Sequence, residues 1–95
     1  MITVFHMERE DWYGSKAVIM GHKDPTAFWM LIETRLSGNS SICALIDTRD
    51  NKYYRVDSMT RSSDGERIRA TITHTMDEAF CESIRMAIAI ETKDG

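Results

Sequence analysis

Proline, glycine and cysteine are scarce in this chain of 95 residues, which has one proline, five glycines and two cysteines. So little proline and glycine excludes a collagen-like or low-complexity chain. No apolar run approaches the roughly 18 residues of a membrane-spanning helix, and the first residues lack the basic and apolar segments of a secretory signal. The two cysteines, Cys43 and Cys81, are too few for the disulfide framework of a small secreted domain. We therefore expect a cytoplasmic protein with both thiols free and buried.

Catalytic motifs are also lacking: the sequence has no P-loop, nucleophile elbow, zinc-protease helix or glycine-rich dinucleotide turn. His6, His22 and His74 are widely spaced, and none belongs to the close ligand pair that a zinc site usually has. Cys81 lies beyond the first turn of a predicted helix, where the helix dipole gives a thiol little activation. We therefore expect no enzyme activity, no cofactor and no metal. A cryptic site that joins Cys81 to a histidine and a carboxylate is the enzymatic alternative.

Charge is nearly balanced overall but uneven along the chain. Twelve basic and fifteen acidic side chains give a net charge of −3, which is the wrong sign for a strongly basic nucleic-acid binder. Residues 1–48 carry −2 (four basic, six acidic), residues 49–69 carry +2 (six basic, four acidic) and residues 70–95 carry −3 (two basic, five acidic). The middle of the chain is therefore its basic part.

Three strands are predicted in the second half of the chain. Residues 67–74 alternate strictly between apolar and polar side chains, as in a strand with one buried and one solvated face. Asp64-Gly65 just before them is a tight-turn signal, which makes residues 53–59 the antiparallel partner. Residues 42–47 are more uniformly apolar, and this predicts a more buried strand that a polar turn joins to its neighbour.

A helix over residues 76–91 is the clearest predicted element. Thr75 followed by Glu78 fits a capping box, in which each side chain accepts a hydrogen bond from an exposed backbone amide. Apolar residues then recur at helical spacing and predict one buried stripe, whereas Cys81 falls on the other side. The predicted stripe comprises Met76, Phe80, Ile84, Ala87 and Ile88, widened by Met86 and Ile90.

The first third of the chain is harder to assign. Residues 2–7 and 16–20 are rich in β-branched and apolar side chains and predict two strands. Residues 24–38 have Asp24-Pro25 where a helix would begin and Gly38 where it would end, which favours a helix. A strand paired with residues 42–47 is the alternative for the same segment.

The predicted order is therefore β-β-α-β-β-β-α, within one domain over residues 1–95. An antiparallel sheet that is apolar on one face, with helices packed on that face, is an α+β two-layer sandwich. This is the fold class that the sequence predicts. The edges of such an open sheet can pair with a second copy, so a homodimer through a sheet edge is an additional possibility.

The outer face of the predicted sheet provides the first candidate recognition surface. Alternation turns Arg67 and Arg69 outward, and the same rule turns Tyr53 and Arg55 outward on the neighbouring strand. Guanidinium groups beside an aromatic ring are suited to phosphates or to an acidic protein. An ordinary solvated face, on which Asp57 and Glu66 pair locally with the arginines, is the alternative.

Trp12 and Tyr13 provide a second candidate surface. Tryptophan and tyrosine bring large, rigid and amphipathic area to protein interfaces, so these two residues are candidate partner contacts. The alternative is that both rings close the edge of a small core, because most aromatic side chains of a small domain pack inside.

The end of the chain resembles that of many small phage-encoded α+β sandwich proteins, because the strand at residues 67–74 leads directly into a helix capped at Thr75-Met76-Asp77-Glu78. Length, compactness and the lack of a catalytic motif are also similar to those of phage anti-defence proteins, the anti-CRISPRs among them. The resemblance implies a non-enzymatic inhibitor that occupies a surface of a host defence complex. It is architectural, so it implies no role for any residue. A small nucleic-acid-binding module that uses the open sheet face is the alternative.

Overall fold

Six strands and one helix make up the part of the chain that the computed structural model describes, residues 1–35 and 41–93. In chain order they are β1 (Ile2–Tyr13), β2 (Lys16–Lys23), β3 (Trp29–Arg35), β4 (Ser41–Asp47), β5 (Lys52–Arg61), β6 (Arg67–Thr75) and the helix α1 (Glu78–Lys93). The strands predicted at residues 2–7, 16–20, 42–47, 53–59 and 67–74, and the final helix, are confirmed.

The six strands close into an antiparallel barrel in the order β1-β2-β6-β5-β4-β3, and β3 pairs back onto β1. The predicted α+β two-layer sandwich, with two helices on one face of an open sheet, is therefore wrong. The error lies in the helix predicted for residues 24–38, because Trp29–Arg35 within that segment form the strand β3. This additional strand joins β4 to β1, and the sheet closes on itself instead of ending in two open edges.

The helix signals at Asp24 and Pro25 produce a single turn that leads into the strand β3 instead of a helix. The Asp24 carboxylate accepts from the backbone N–H of Thr26 at 2.9 Å and from its hydroxyl at 2.7 Å, which closes an Asx turn. β3 then pairs with β4 in the register Trp29↔Asp47 to Arg35↔Ser41, as in the strand alternative. The predicted helix end at Gly38 lies outside the described residues.

One side of every strand fills the barrel interior. These buried side chains are Phe5, Ala17, Ile19, Trp29, Leu31, Leu45, Tyr54, Ile68, Ala70 and Ile72. The alternation predicted for β6 is confirmed, because Ile68, Ala70 and Ile72 point inward while Arg67 and Arg69 are exposed. The interior is therefore a packed apolar core, and any ligand or partner would have to contact the outside or the ends of the barrel.

The helix α1 lies on the outside of the barrel, against β3 and β4. Its residues Ile84 and Ala87 join a second apolar cluster whose strand members are Ile32, Ile42, Ala44 and Ile46. β3 and β4 are consequently buried on both faces. Strands in that position read as nearly continuous apolar runs, which is why residues 24–38 lacked the alternation that identified β6.

The cap and the buried face of α1 differ from their predictions. The cap is Asp77 and not Thr75, because the Asp77 carboxylate accepts from the backbone N–H groups of Ala79 at 3.1 Å and Phe80 at 3.3 Å. The buried face is centred on Cys81, Ile84 and Ala87. Three members of the predicted stripe are instead exposed: Met76, Met86 and Ile90. Within residues 1–35 and 41–93, no helix is long and apolar enough to cross a membrane.

Two short ladders close the barrel. β1 pairs with β2 from Phe5 to Tyr13, but it pairs with β3 only from Ile2 to Phe5. β4 and β5 pair only over residues 44–47 and 52–55. Residues 6–13 of β1 therefore run past the start of β3, and no strand in the described part of the chain pairs with that side of them. We refer to this side of residues 6–13 as the free edge of β1.

Candidate functional site

Tyr53 and Arg55 lie on the outside of the barrel, beside the helix. Tyr53 is half-buried in the cluster beneath α1, and the guanidinium carbon of Arg85 lies 5.6 Å from its ring centroid. The guanidinium carbon of Arg55 lies 4.1 Å from the Phe80 ring centroid, and its Nη2 donates to the Asp77 carboxylate at 3.0 Å. Both side chains are therefore engaged in holding the helix to the barrel.

Arg67 and Arg69 lie farther along the outer face of β6. Nη1 of Arg67 donates to both carboxylate oxygens of Glu8, at 2.8 and 2.6 Å, and Nδ1 of His22 lies 3.0 Å from the same carboxylate. The hydrogen bonds from Arg67 hold the pKa of Glu8 below its usual value. Arg69 is exposed and is flanked by Met20 on β2. One of the two guanidinium groups is thus already paired.

The four residues predicted for this surface do not form one compact patch. Arg55 is opposite Thr73, six residues from Arg67 on β6, which corresponds to about 20 Å along the strand. Two of these arginines form ion pairs, as the alternative predicts, but with other carboxylates than Asp57 and Glu66. Arg55 pairs with Asp77, and Arg67 pairs with Glu8. The structure therefore separates Tyr53 and Arg55 from Arg67 and Arg69.

Trp12 and Tyr13 lie together at one end of the barrel. The Trp12 ring centroid is 5.8 Å from that of Tyr54, which is itself 5.8 Å from Trp29 and 5.4 Å from His74. Trp12 nevertheless remains 42% exposed and Tyr13 69% exposed. One side of Trp12 therefore closes the core, as the alternative proposed, while its other side and Tyr13 face outward.

Phe28 and Arg49 complete this end of the barrel, and the sequence reasoning did not include them. The Arg49 guanidinium carbon lies 4.2 Å from the Phe28 ring centroid and 5.9 Å from that of Trp29. Asp47 fixes the arginine through two hydrogen bonds, from Nε at 3.0 Å and from Nη2 at 2.7 Å. We call Trp12, Tyr13, Phe28, Trp29 and Tyr54, with Arg49, the aromatic end.

Phe28 and Arg49 can be placed next to each other once the pairing register of β3 with β4 is known. Once residues 29–35 are a strand paired with β4, Trp29 is opposite Asp47, and Phe28 comes close to the turn that carries Arg49. The backbone O of Phe28 accepts from the Thr48 N–H at 3.0 Å and confirms this proximity. In the sequence, the only sign of this contact is Asp47-Thr48-Arg49 at the end of a predicted strand. It does not indicate Phe28 as a neighbour unless residues 29–35 are known to be the paired strand.

A groove of about 300 Å³ lies between the free edge of β1 and the aromatic end. One wall is formed by residues 6–10 of β1, and the other by Phe28, Trp29 and Arg49. Open grooves lined by aromatic and charged side chains are suited to holding a side chain or a short segment of a partner. The groove is too small and too open to enclose a large ligand.

Acidic and basic side chains lie together near the aromatic end. Burial raises the pKa of the Tyr54 hydroxyl, and the charges of Asp50, Asp47 and Glu10 raise it further, whereas Arg49 opposes them. The hydrogen bonds from Arg49 hold the pKa of Asp47 below its usual value, so this carboxylate is ionised at neutral pH. Asp47 is paired with Arg49 at 2.7 Å and Asp50 with Lys52 at 3.8 Å. Among the described residues Glu10 has no ion-pair partner, so its carboxylate is the one at this end that can attract a cationic group.

The residue types of the enzymatic alternative lie near one another on the outside of the barrel. Cys81, His74 and Glu78 line one open depression of about 380 Å³. Burial raises the pKa of the Cys81 thiol, so the reactive thiolate is disfavoured there. Burial likewise raises the pKa of Cys43, to about 11. Within residues 1–35 and 41–93, no group of three or more His, Cys, Asp or Glu side chains could hold a metal ion.

Comparison with known proteins finds no matching family model, no matching curated protein and no matching solved structure.

Proposed function

We propose that this protein is a non-enzymatic protein-binding module that docks on its partner through the aromatic end of the barrel. The observation that carries the proposal is the exposure of Trp12, Tyr13 and Phe28 at one end of a closed barrel. Binding energy at protein interfaces is concentrated in tryptophan, tyrosine and arginine side chains near the centre of the contact. A module of this kind acts by covering a surface that its partner needs for another contact.

Two exposed rings of the aromatic end, those of Trp12 and Phe28, are already packed against neighbours within the protein, which favours binding. Trp12 rests on Tyr54, and Phe28 is covered by Arg49, which Asp47 holds in place. Immobilising a flexible side chain at an interface costs about 0.5–1.5 kcal/mol. Side chains that packing has already fixed avoid most of this cost, so a small surface supports useful affinity.

The order of the candidate contacts changes accordingly. Trp12 and Tyr13 become the principal anchors, because Tyr53, Arg55 and Arg67 are engaged within the protein itself. Arg69 remains available at the outer face of β6 as a peripheral contact.

Three more specific predictions rest on the sequence alone. Anti-CRISPR-like inhibition of a host defence complex, a phage origin and a cytoplasmic location stay predictions. The nucleic-acid-binding alternative has less support, because the net charge of the chain is −3 and the Glu10 carboxylate near the aromatic end would repel phosphates.

Capture followed by affinity measurement tests the proposal. The tagged protein is used to capture partners from a lysate of the source organism, and each captured protein is purified and titrated. Tyr13→Ala is expected to weaken binding at least about 30-fold, which corresponds to about 2 kcal/mol. Met86→Ala, which removes an exposed apolar side chain from α1, is the matched control and is expected to leave affinity unchanged. Circular dichroism verifies that both variants are folded.

Two results would overturn this assignment. If Arg69→Glu abolishes binding and Tyr13→Ala does not, the recognition surface is the outer face of β6. If capture requires nucleic acid and the affinity falls steeply with added salt, the nucleic-acid-binding alternative replaces the proposal.

A further inference from the structure

The free edge of β1 presents backbone hydrogen-bonding groups without strand partners. Successive residues of an antiparallel strand direct their N–H and C=O groups alternately to the two sides. The Ser15 O accepts from His74 N at 2.8 Å and the Lys23 N donates to Glu66 O at 2.8 Å, so the odd-numbered residues of β2 bond towards β6. The even-numbered residues of β2 therefore bond towards β1.

This alternation identifies the groups at the free edge. Met20 and Val18, which bond towards β1, are opposite Arg9 and Asp11. The backbone groups of Arg9 and Asp11 therefore face β2, and those of Glu10 and Trp12 point to the side that β3 does not reach. A strand added there would find two N–H donors and two C=O acceptors at the spacing of a β-ladder.

The groove beside this edge determines which side chains an added strand would carry. Glu10 lines the groove, opposite the rings of Phe28 and Trp29. Its carboxylate has no ion pair in the described part of the chain, whereas the other charged side chains that line the groove are paired: Glu8 with Arg67, Arg9 with Asp11 and Arg49 with Asp47. A carboxylate without an ion-pair partner is suited to a lysine or arginine side chain, through charge attraction.

A second copy of the chain does not fit this edge. Four consecutive charged residues, numbers 8–11, occupy it, and a register shift between Met7 and Arg9 bends the strand. Two copies paired antiparallel about the middle of the edge would place Glu10 against Glu10 of the other copy, and directly opposed like charges are destabilising. Such charges and bulges are typical devices that protect edges from self-pairing.

We propose that the free edge of β1 at Glu10 and Trp12 takes an extended segment of the partner protein by strand addition, with a lysine or arginine of that segment in the groove between Glu10 and Phe28. This inference rests on the proposed function and specifies its partner: a protein with an exposed, basic, extended segment. The main-chain hydrogen bonds provide affinity, and the groove selects the basic side chain.

Peptide selection provides the first test. The immobilised full-length protein is used to select from a phage-displayed library of random twelve-residue peptides. The selected peptides are expected to share a lysine or arginine flanked by β-branched residues, and to bind as synthetic peptides. Selection of no binder, or of binders without a common basic position, overturns the inference.

Amide hydrogen exchange of the peptide complex tests the mode of binding. The amides of Glu10 and Trp12 are expected to exchange at least about tenfold more slowly in the complex. The amides of Asp11 and Tyr13 already bond to β2 and are the internal control, with little change expected. Unchanged exchange at Glu10 and Trp12 overturns strand addition.

Charge reversal tests the groove. Glu10→Lys is expected to weaken a selected basic peptide at least about tenfold, whereas Asp11→Lys, on the other side of the same strand, has an effect below about threefold. Equal losses in the two variants contradict a specific contact at Glu10, because they indicate only long-range attraction between charges.

The two proposals fail in different ways. If Tyr13→Ala weakens the captured partner while Glu10 and Trp12 remain unprotected in that complex, the protein-binding function stands and strand addition is wrong. If the edge amides are protected and Tyr13→Ala has no effect, the partner binds the edge without using the aromatic end.

Discussion

β4 and β6 are both paired on two sides within the same barrel, yet their sequences follow different rules. β6 alternates, with Ile68, Ala70 and Ile72 inside and arginines outside. β4 is apolar at almost every position, because Leu45 faces the interior while Ile42 and Ile46 face α1. The periodicity of a strand therefore reports what covers each of its two faces, and a helix laid on the outer face removes the alternation.

Paired substitutions on the two strands provide the largest expected effect. Leu45→Ala and its neighbour Ile46→Ala are each expected to lower the free energy of unfolding by about 2–5 kcal/mol, because both side chains are buried. On β6, Ile72→Ala is expected to be as damaging, whereas Arg69→Ala changes stability by less than about 0.5 kcal/mol. Urea unfolding measures all four. A harmless Ile46→Ala would contradict the packing of α1 on β4.

Gly21 provides a test of packing in the half of the barrel that no helix covers. A Cβ at this position would lie 2.6 Å from the backbone O of His6 and 2.7 Å from Cδ2 of Phe5. Gly21→Ala is therefore expected to cost about 1–3 kcal/mol through overpacking. Ser15→Ala, in the exposed β1–β2 turn, is the control and should be nearly neutral in the same urea experiment. A neutral Gly21→Ala would mean that β1 and β2 are separated more widely than the structure places them.

Acid sensitivity is expected at the end of β4, where Asp47 is buried against Arg49. The arginine lowers the pKa of Asp47 in the folded protein, so the stabilisation is present above the unfolded value of about 3.9 and is lost as pH falls through the folded value. Asp47→Asn is expected to cost about 1–2 kcal/mol at pH 7, and the difference from the unchanged protein should shrink below about pH 4. Asp11→Asn, on the exposed hairpin, serves as the control at both pH values. A constant difference across pH would exclude the ion pair as its cause.

The helix cap gives the smallest effect in this series and tests whether α1 depends on the barrel or on its own end. Asp77→Ala removes the acceptor for the N–H groups of Ala79 and Phe80 and is expected to cost about 1 kcal/mol. That loss would lower the melting temperature by about 4–8 °C. Asp77→Asn keeps the acceptor and should recover most of the loss, although the pair with Arg55 is weakened. No recovery would mean that Arg55, and not the cap, accounts for the effect.

The strands of the fold were largely predictable, whereas its closure was not. β6, β5 and the helix followed from alternation, turn residues and helical spacing. β3 did not, because Trp29 and Leu31 face the interior while Met30 and Ile32 face outward against apolar neighbours. A segment buried on both faces carries no period that distinguishes a strand from a helix, and Asp24-Pro25 then favoured the wrong alternative.

The candidate site was predictable only in part, for the same reason. Trp12 and Tyr13 were identified by residue type alone. Phe28 and Arg49 could not be joined to them, because their proximity depends on the register of β3 with β4. The arginines point outward as predicted, but the carboxylates that pair with them lie in other elements. Glu8, the partner of Arg67, is on β1, and Asp77, the partner of Arg55, lies beside α1. Such long-range partners leave no trace in the local pattern.

The sequence by itself determined the extended segments of β1, β2, β4, β5 and β6, the turn that joins β5 to β6 and which side chains lie inside β6, since these follow from backbone sterics and the burial of alternate residues. Only the tertiary structure decided that the sheet closes, that α1 covers β3 and β4, and that Trp12, Phe28 and Arg49 meet at one end. Closure depends on the short ladder between Ile2–Phe5 and Trp29–Ile32, whose two strands are distant along the chain. Pairing across such a distance is selected by the free energy of the whole barrel, to which every strand contributes.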